Sequence, residues 1–265
     1  MADSGQRIAL ITGGAGAVGF ATARRLARVG MVPVLADRDT AAMARCVAAL
    51  QADFGLPALG IDTDLTDRAG PRAVMREIEQ RFGRLDCLVN NAGLSKARRI
   101  GEVELADWDE VIAVNLTAPM LLAQESMRFW RAQRGGSIIN MASRVWVSGS
   151  GPGYTASKAG LVGLTRSLAV QLGPLGVTVN AVAPSYLSTR FNFAGDDAAR
   201  QRADAEHIRL GVLSRLGTPE DVAGAVAFLA SEDARFITGE VIHVAGGAQL
   251  AARPPSPGLN EGLPS

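Results

Sequence analysis

Tyr154 and Lys158, at the two ends of the run Tyr154-Thr155-Ala156-Ser157-Lys158, stand four residues apart. On a helix that spacing puts both side chains on one face. A free phenol titrates near ~10, too high for a base at neutrality, but a neighbouring ammonium favours the phenolate. At ~4 Å and an effective dielectric of ~20 the attraction is about 4 kcal/mol, or roughly 3 pKa units. That makes Tyr154 a candidate acid/base. Ser143, just after an apolar run, offers a hydroxyl for a substrate oxygen. A Tyr and Lys at this spacing also occur on ordinary surfaces, and a serine there is also a common turn residue.

A second set of residues suits a nucleotide. The run Thr12-Gly13-Gly14-Ala15-Gly16-Ala17-Val18-Gly19 joins an apolar stretch to a helical one, the setting in which glycines admit a pyrophosphate to a helix N-terminus. Asp37 ends the next apolar run, close to the ~20-residue distance at which an acid hydrogen-bonds the adenosine ribose. A carboxylate there favours NAD, because it repels the extra phosphate of NADP. Arg38 beside it works the other way, and Asp37 has an alternative use as the cap of the following helix.

These residues need a scaffold that brings distant segments to one edge. Short aliphatic runs at 8–12, 32–36, 58–61, 87–90, 137–141, 177–182 and 241–244 read as buried strands. Between them, 17–29, 41–54, 68–82, 108–130, 154–172 and 219–230 carry helical spacing. The alternation predicts an α/β fold, a Rossmann-type doubly wound parallel sheet in a single domain over 1–250. The Pro/Gly-rich stretch 251–265 reads as a loose C-terminal tail.

The charge balance is 27 basic against 26 acidic residues, which gives no field for nucleic acid or an anionic membrane surface and leaves a small-molecule substrate as the partner. No secretory signal and no transmembrane run is visible, so a cytoplasmic location is expected. Cys46 and Cys87 stand in unrelated contexts, as expected of free thiols, and neither they nor the two histidines have metal-ligand spacing. A Ser hydrolase is disfavoured too: Gly93-Leu94-Ser95-Lys96-Ala97 lacks the final glycine of a nucleophile elbow.

Taken in order, the glycine run from Gly13, Asp64-Leu65, Asn90-Asn91-Ala92-Gly93, Asn115, Ser143, Tyr154 with Lys158, 180–184 and 244–247 resemble the signals of the compact, single-domain short-chain dehydrogenase/reductase family. The resemblance covers roughly residues 5–249. It implies catalytic roles for Asn115, Ser143, Tyr154 and Lys158: Ser143 polarises the substrate oxygen, Tyr154 exchanges a proton, Lys158 lowers the tyrosine pKa and holds the nicotinamide ribose, and Asn115 keeps a relay water. It implies a cofactor site, NAD being expected, at Gly13, Gly16, Ala17, Val18, Gly19, Asp37, Arg38, Asp64, Leu65, Asn91, Ala92, Gly93, Tyr154, Lys158, Pro184, Leu187 and Thr189. Within that set Asp64 and Leu65 meet the adenine, and Leu187 and Thr189 the carboxamide.

Three positions and one spacing depart from the family pattern: Ala17 for a glycine, Ser185 for a glycine, Ala245 for an aspartate, and a span from Ser143 to Tyr154 about two residues short. Ser95, Lys96, Arg98, Arg144 and Trp146 suggest a polar pocket with one aromatic wall, and the stretch from Thr189 to Leu213, with Phe191 and Phe193, an amphipathic lid. The leading expectation is therefore NAD-dependent interconversion of a secondary alcohol (a polyol, sugar or cyclic alcohol) and its ketone. An NADPH-dependent 3-oxoacyl carrier-protein reductase is the main alternative, for which Arg128, Arg131 and Arg134 would supply a docking patch. A non-catalytic nucleotide-binding sensor is a further one. The resemblance also implies a homotetramer.

Overall fold

The computed structural model describes residues 5–96, 98–189, 191 and 196–250. Ala97, Phe193 and the tail expected at 251–265 lie outside the described residues. The strands are β1 (Ile8–Thr12), β2 (Val32–Asp37), β3 (Leu59–Asp62), β4 (Cys87–Asn90), β5 (Gly136–Met141), β6 (Val177–Pro184) and β7 (Val241–Val244). They form one parallel sheet in the order β3-β2-β1-β4-β5-β6-β7. The order reverses between β1 and β4, so a crevice opens beyond the carboxyl ends of these strands, where open α/β sheets take their ligands.

The central strands are apolar on both faces because helices cover both. In β1, Ala9 and Ile11 enter one core with Ala23, Leu26, Val222 and Val226, while Ile8 and Leu10 enter the other with Val74, Ile78, Leu122 and Trp130. The first layer is α1 (Ala17–Arg28), α2 (Thr40–Phe54) and the late helix Pro219–Leu229, which is α9 below. The second is α3 (Gly70–Phe82), α5 (Ala118–Gln133) and α7 (Pro152–Leu172).

The expected helix over 108–130 is two helices, α4 (Leu105–Ile112) and α5, joined by a π turn at Ala113–Thr117. Two more helices stand where the sequence reading placed loops or a lid: the single turn α6 (Val145–Ser148) and α8 (Asp197–Leu210). The remaining helix, α9 (Pro219–Leu229), starts with a capping box between Thr218 and Asp221. Among the described residues, no helix is long and apolar enough to cross a membrane.

Candidate active site

The glycine-rich turn is held by close backbone approach. Gly13 has φ +62°, and a Cβ on Gly19 would lie 2.2 Å from the Gly13 carbonyl oxygen, so neither position admits a side chain without rearrangement. Gly16 precedes α1 and no side chain caps that helix, so the first-turn N–H groups remain available to an anion. Gly16 and Ala17 are exposed, Val18 is half-buried, and the methyl of Ala17 takes no room from the core.

Asp37 reaches this turn from the end of β2. One carboxylate oxygen accepts the Ala15 N–H at 2.9 Å and the other the Asp39 N–H at 3.0 Å. The alternative in which Asp37 caps α2 does not hold: the cap is Asp39, which accepts the Ala42 N–H at 2.9 Å. Arg38 is exposed beside it. Asp64, also exposed, accepts the N–H and the hydroxyl of Thr66, which hold its carboxyl below the usual range with help from the Arg38 charge. Leu65 leans on the core of the α3 layer.

The segment after β4 is tied to the same turn. Asn91 donates its side-chain amide to the carbonyls of Thr12 and Gly13, at 2.9 and 3.0 Å, and the N–H groups of Asn91 and Ala92 both donate to the Thr12 hydroxyl at 3.0 Å. The Asn91 side chain thus shapes the turn from behind. A Cβ placed on Gly93 would lie 3.7 Å from both Asn115 Oδ1 and Lys158 Nζ, so the glycine leaves a clear path where three segments converge.

Asn115 is wholly buried inside the π turn. Its carbonyl oxygen accepts the Leu94 N–H at 2.8 Å, and its amide donates to the Leu94 carbonyl at 2.9 Å and to the Ser157 hydroxyl at 3.0 Å. Ser157 in turn donates to the Tyr154 carbonyl at 2.8 Å. Sequence reasoning passed over Ser157, although it lies three residues after Tyr154 and next to Lys158. Both amide N–H groups of Asn115 are used in bracing α7 against the Gly93 segment.

Ser143, Tyr154 and Lys158 meet at the carboxyl end of β5. The shortened span between Ser143 and Tyr154 folds as α6 and a glycine turn, and it still brings the Ser143 side chain beside the phenol. Lys158 is 3 % exposed, and its Nζ donates to the Met141 carbonyl at 2.7 Å. No hydrogen bond joins the ammonium to the phenol; Nζ lies 5.6 Å from the Tyr154 ring centre. Burial raises the phenol pKa, the neighbouring Ser143 side chain opposing it, and burial pushes the Lys158 ammonium down to about 8.

At the far end of β6, Pro184 accepts the Arg144 N–H at 2.8 Å. Leu187 forms a β-bridge to Gly217 and sinks its side chain into the core, so its backbone is what it can offer a ligand. The Thr189 N–H donates to the Leu187 carbonyl at 2.8 Å. Phe191 stands 6.3 Å from the Tyr154 ring and is half exposed.

The polar pocket expected nearby is largely self-neutralised. Lys96 is ion-paired with Glu110 and Asp107 at 2.9 and 3.5 Å, and Arg98 with Asp107 at 3.0 Å. Arg144 reaches the Ala248 carbonyl, and Trp146 donates its indole N–H to His243 Nε2 at 3.1 Å. Of the three arginines offered as a docking patch, Arg128 is paired with Glu79 and Glu125, while Arg131 and Arg134 are exposed.

A family model described as enoyl-(acyl carrier protein) reductase matches residues 13–249. The chain belongs to the short-chain dehydrogenase/reductase family. It is accordingly an NAD(P)-dependent oxidoreductase. This dehydrogenase/reductase is 37 % identical over 247 residues to (2S)-[(R)-hydroxy(phenyl)methyl]succinyl-CoA dehydrogenase subunit BbsD of Thauera aromatica, covering 93 % of this chain and 98 % of that protein. It is 37 % identical over 243 residues to the 3-oxoacyl-[acyl-carrier-protein] reductase FabG of Aquifex aeolicus, covering 91 % and 96 %. Among solved structures, a putative short-chain alcohol dehydrogenase from Sinorhizobium meliloti superposes with a TM-score of 0.85 at 31 % identity, covering 91 % and 96 % of the two chains.

Proposed function

We propose that this short-chain dehydrogenase/reductase interconverts a 3-oxoacyl thioester and the matching 3-hydroxyacyl thioester, with NAD(H) as cofactor. The observation that carries the reading is the placement of the Ser143 side chain beside the Tyr154 phenol, with the buried Lys158 one turn further along α7. A serine hydroxyl and a phenol side by side suit the oxygen of a carbonyl or secondary alcohol. The thioester class is favoured by the two relatives described above, whose names specify a carrier-protein thioester and a CoA thioester. The polyol, sugar or cyclic-alcohol reading moves behind it, because the cations that would line a polar pocket are engaged with Asp107 and Glu110.

The residues at the cofactor end fit a dinucleotide, since an uncapped helix start faces solvent next to the glycine turn and an acid ends β2. Gly16 to Gly19 would hold the pyrophosphate, Asp37 the adenosine ribose, Asp64 and Leu65 the adenine, and Lys158 with Pro184, Leu187 and Thr189 the nicotinamide end. Asp37 supports NAD over NADP. The cofactor supplies the hydride. Ser143 orients the substrate oxygen. In reduction Tyr154 gives its proton to that oxygen, and its raised pKa keeps the phenol protonated for the task; in oxidation the phenolate takes the proton back. Lys158 holds positive charge beside the phenol.

The same reading includes a cytoplasmic homotetramer. Ala159 is exposed, a Cβ on Gly163 would meet nothing, and Val170 is bare on the same helix, whereas Gly160 packs on Leu116 within the subunit. This leaves a small-residue face of α7 open to a second copy.

The test is to titrate purified protein with NADH and NADPH, then assay 3-oxoacyl carrier protein, 3-oxoacyl-CoA, polyols and cyclic alcohols with the cofactor that binds. NADH-linked thioester reduction is the expected result. Binding of NADPH alone would overturn the cofactor assignment, and turnover confined to polyols or cyclic alcohols would overturn the substrate class.

A further inference from the structure

Helix α8 has no buried residue. An element with so little apolar burial is held by its polar contacts, and these gather on one side chain. One oxygen of Asp204 accepts the Tyr186 hydroxyl at 3.0 Å and the other the Ser188 hydroxyl at 3.0 Å. One turn along, His207 stacks on the Tyr186 ring with centroids 4.0 Å apart and planes 20° from parallel.

Tyr186 and Ser188 flank Leu187. In extended backbone neighbouring side chains point to opposite sides. Leu187 therefore anchors in the core and bridges to Gly217, while the residues on either side of it reach out to α8. The Thr189 N–H folds back onto the Leu187 carbonyl, so the same short segment sets Thr189. Arg200 adds a positive charge near Tyr186.

We propose that Asp204 is a positioning residue: by taking one hydroxyl on each carboxylate oxygen it latches α8 to the segment 186–189, so that the helix at the substrate side and the backbone at the nicotinamide side move as one body. The link to substrate rests on the thioester reading above. The latch itself does not.

The experiment compares Asp204→Asn, Asp204→Ala, the pair Tyr186→Phe with Ser188→Ala, and the triple variant combining that pair with Asp204→Ala. Each is read by trypsin cleavage after Arg200, Arg202 and Arg209, by NADH affinity, and by KM and kcat for a 3-oxoacyl thioester. Loss of hydrogen bonds to a charged group is expected to speed cleavage and raise both the NADH Kd and the thioester KM about tenfold, with kcat within about twofold. The triple variant is expected to be no worse than Asp204→Ala, because all the changes remove the same contact. Wild-type cleavage rates in Asp204→Ala and Asp204→Asn, or additive effects in the triple variant, would overturn the latch. Faster cleavage with an unchanged NADH Kd would overturn the coupling to the cofactor side. If the wild-type protein reduces no thioester, the substrate reading falls while cleavage and NADH affinity still decide the latch.

Discussion

Asp37 Oδ2 and the main-chain N–H of Ala15 lie 2.9 Å apart, across 22 residues of sequence. The acid that ends β2 is thereby a strut of the glycine turn as well as the candidate ribose ligand. Asp37→Ala is expected to lower the ratio of kcat/KM for NAD to that for NADP at least tenfold, and to weaken NAD as the turn loosens. Steady-state kinetics with both cofactors checks it; an unchanged ratio would remove Asp37 from cofactor selection.

Tyr154→Phe keeps the ring and deletes the proton. Turnover is expected to fall by about 10² to 10⁴, with the NADH Kd unchanged in a fluorescence titration. Retained turnover would refute the acid role.

Lys158 is costly to the fold. Burial pushes its ammonium down to about 8, so the folded chain binds fewer protons than the unfolded one and stability rises with pH from about 8 toward the ordinary lysine value near ~10.4. At pH 7 the charge costs on the order of 3 kcal/mol, partly offset by the bond to the Met141 carbonyl, worth about 1.5–3 kcal/mol. Lys158→Met is therefore expected to melt at the same temperature or a few degrees higher at pH 7, while losing turnover. A large drop in melting temperature would show that the ammonium is a structural asset.

His243 responds to acid in the same sense, in a lower pH window. Burial lowers its pKa, and Nε2 must be unprotonated to accept the Trp146 indole N–H. The unfolded chain binds the proton more readily, so this contribution is complete above about 6.5 and is lost as pH falls below it. Melting curves between pH 5 and 8 are expected to show a dependence that His243→Gln flattens; an equal slope in the variant would exclude the pair.

A Cβ on Gly19 would overlap the Gly13 carbonyl, whereas one on Gly16 would sit 3.3 Å from it. Gly19→Ala is expected to abolish cofactor binding and cost at least about 2 kcal/mol of stability, and Gly16→Ala less than about 1. Thermal melts and NADH titration of the two variants separate them.

Much of this molecule was legible in its residues. Strands at 8–12, 87–90 and 241–244 stand where the aliphatic runs placed them, because β-branched and apolar runs of that length have few other uses in an α/β chain. The glycine turn, Asp37, Ser143 and Tyr154 with Lys158 lie toward the carboxyl ends of the parallel strands. What escaped depends on partners rather than on pattern. The π turn at Ala113–Thr117 inserts extra backbone without disturbing the apolar face enough to be seen. Four-residue spacing put Tyr154 and Lys158 on one face, but only the Met141 carbonyl settles where the ammonium goes. Lys96 and Arg98 read as ligand cations until Asp107 and Glu110 are seen across the gap.

The contrast between the wholly buried Asn115 and a helix α8 without a buried side chain also bears on how such a chain can change over generations. Substitutions around Asn115 open cavities or orphan polar groups and are purged. Those on α8, Asp204 apart, disturb no core, so the exposed surface of that helix can drift while the buried scaffold beneath it is inherited intact.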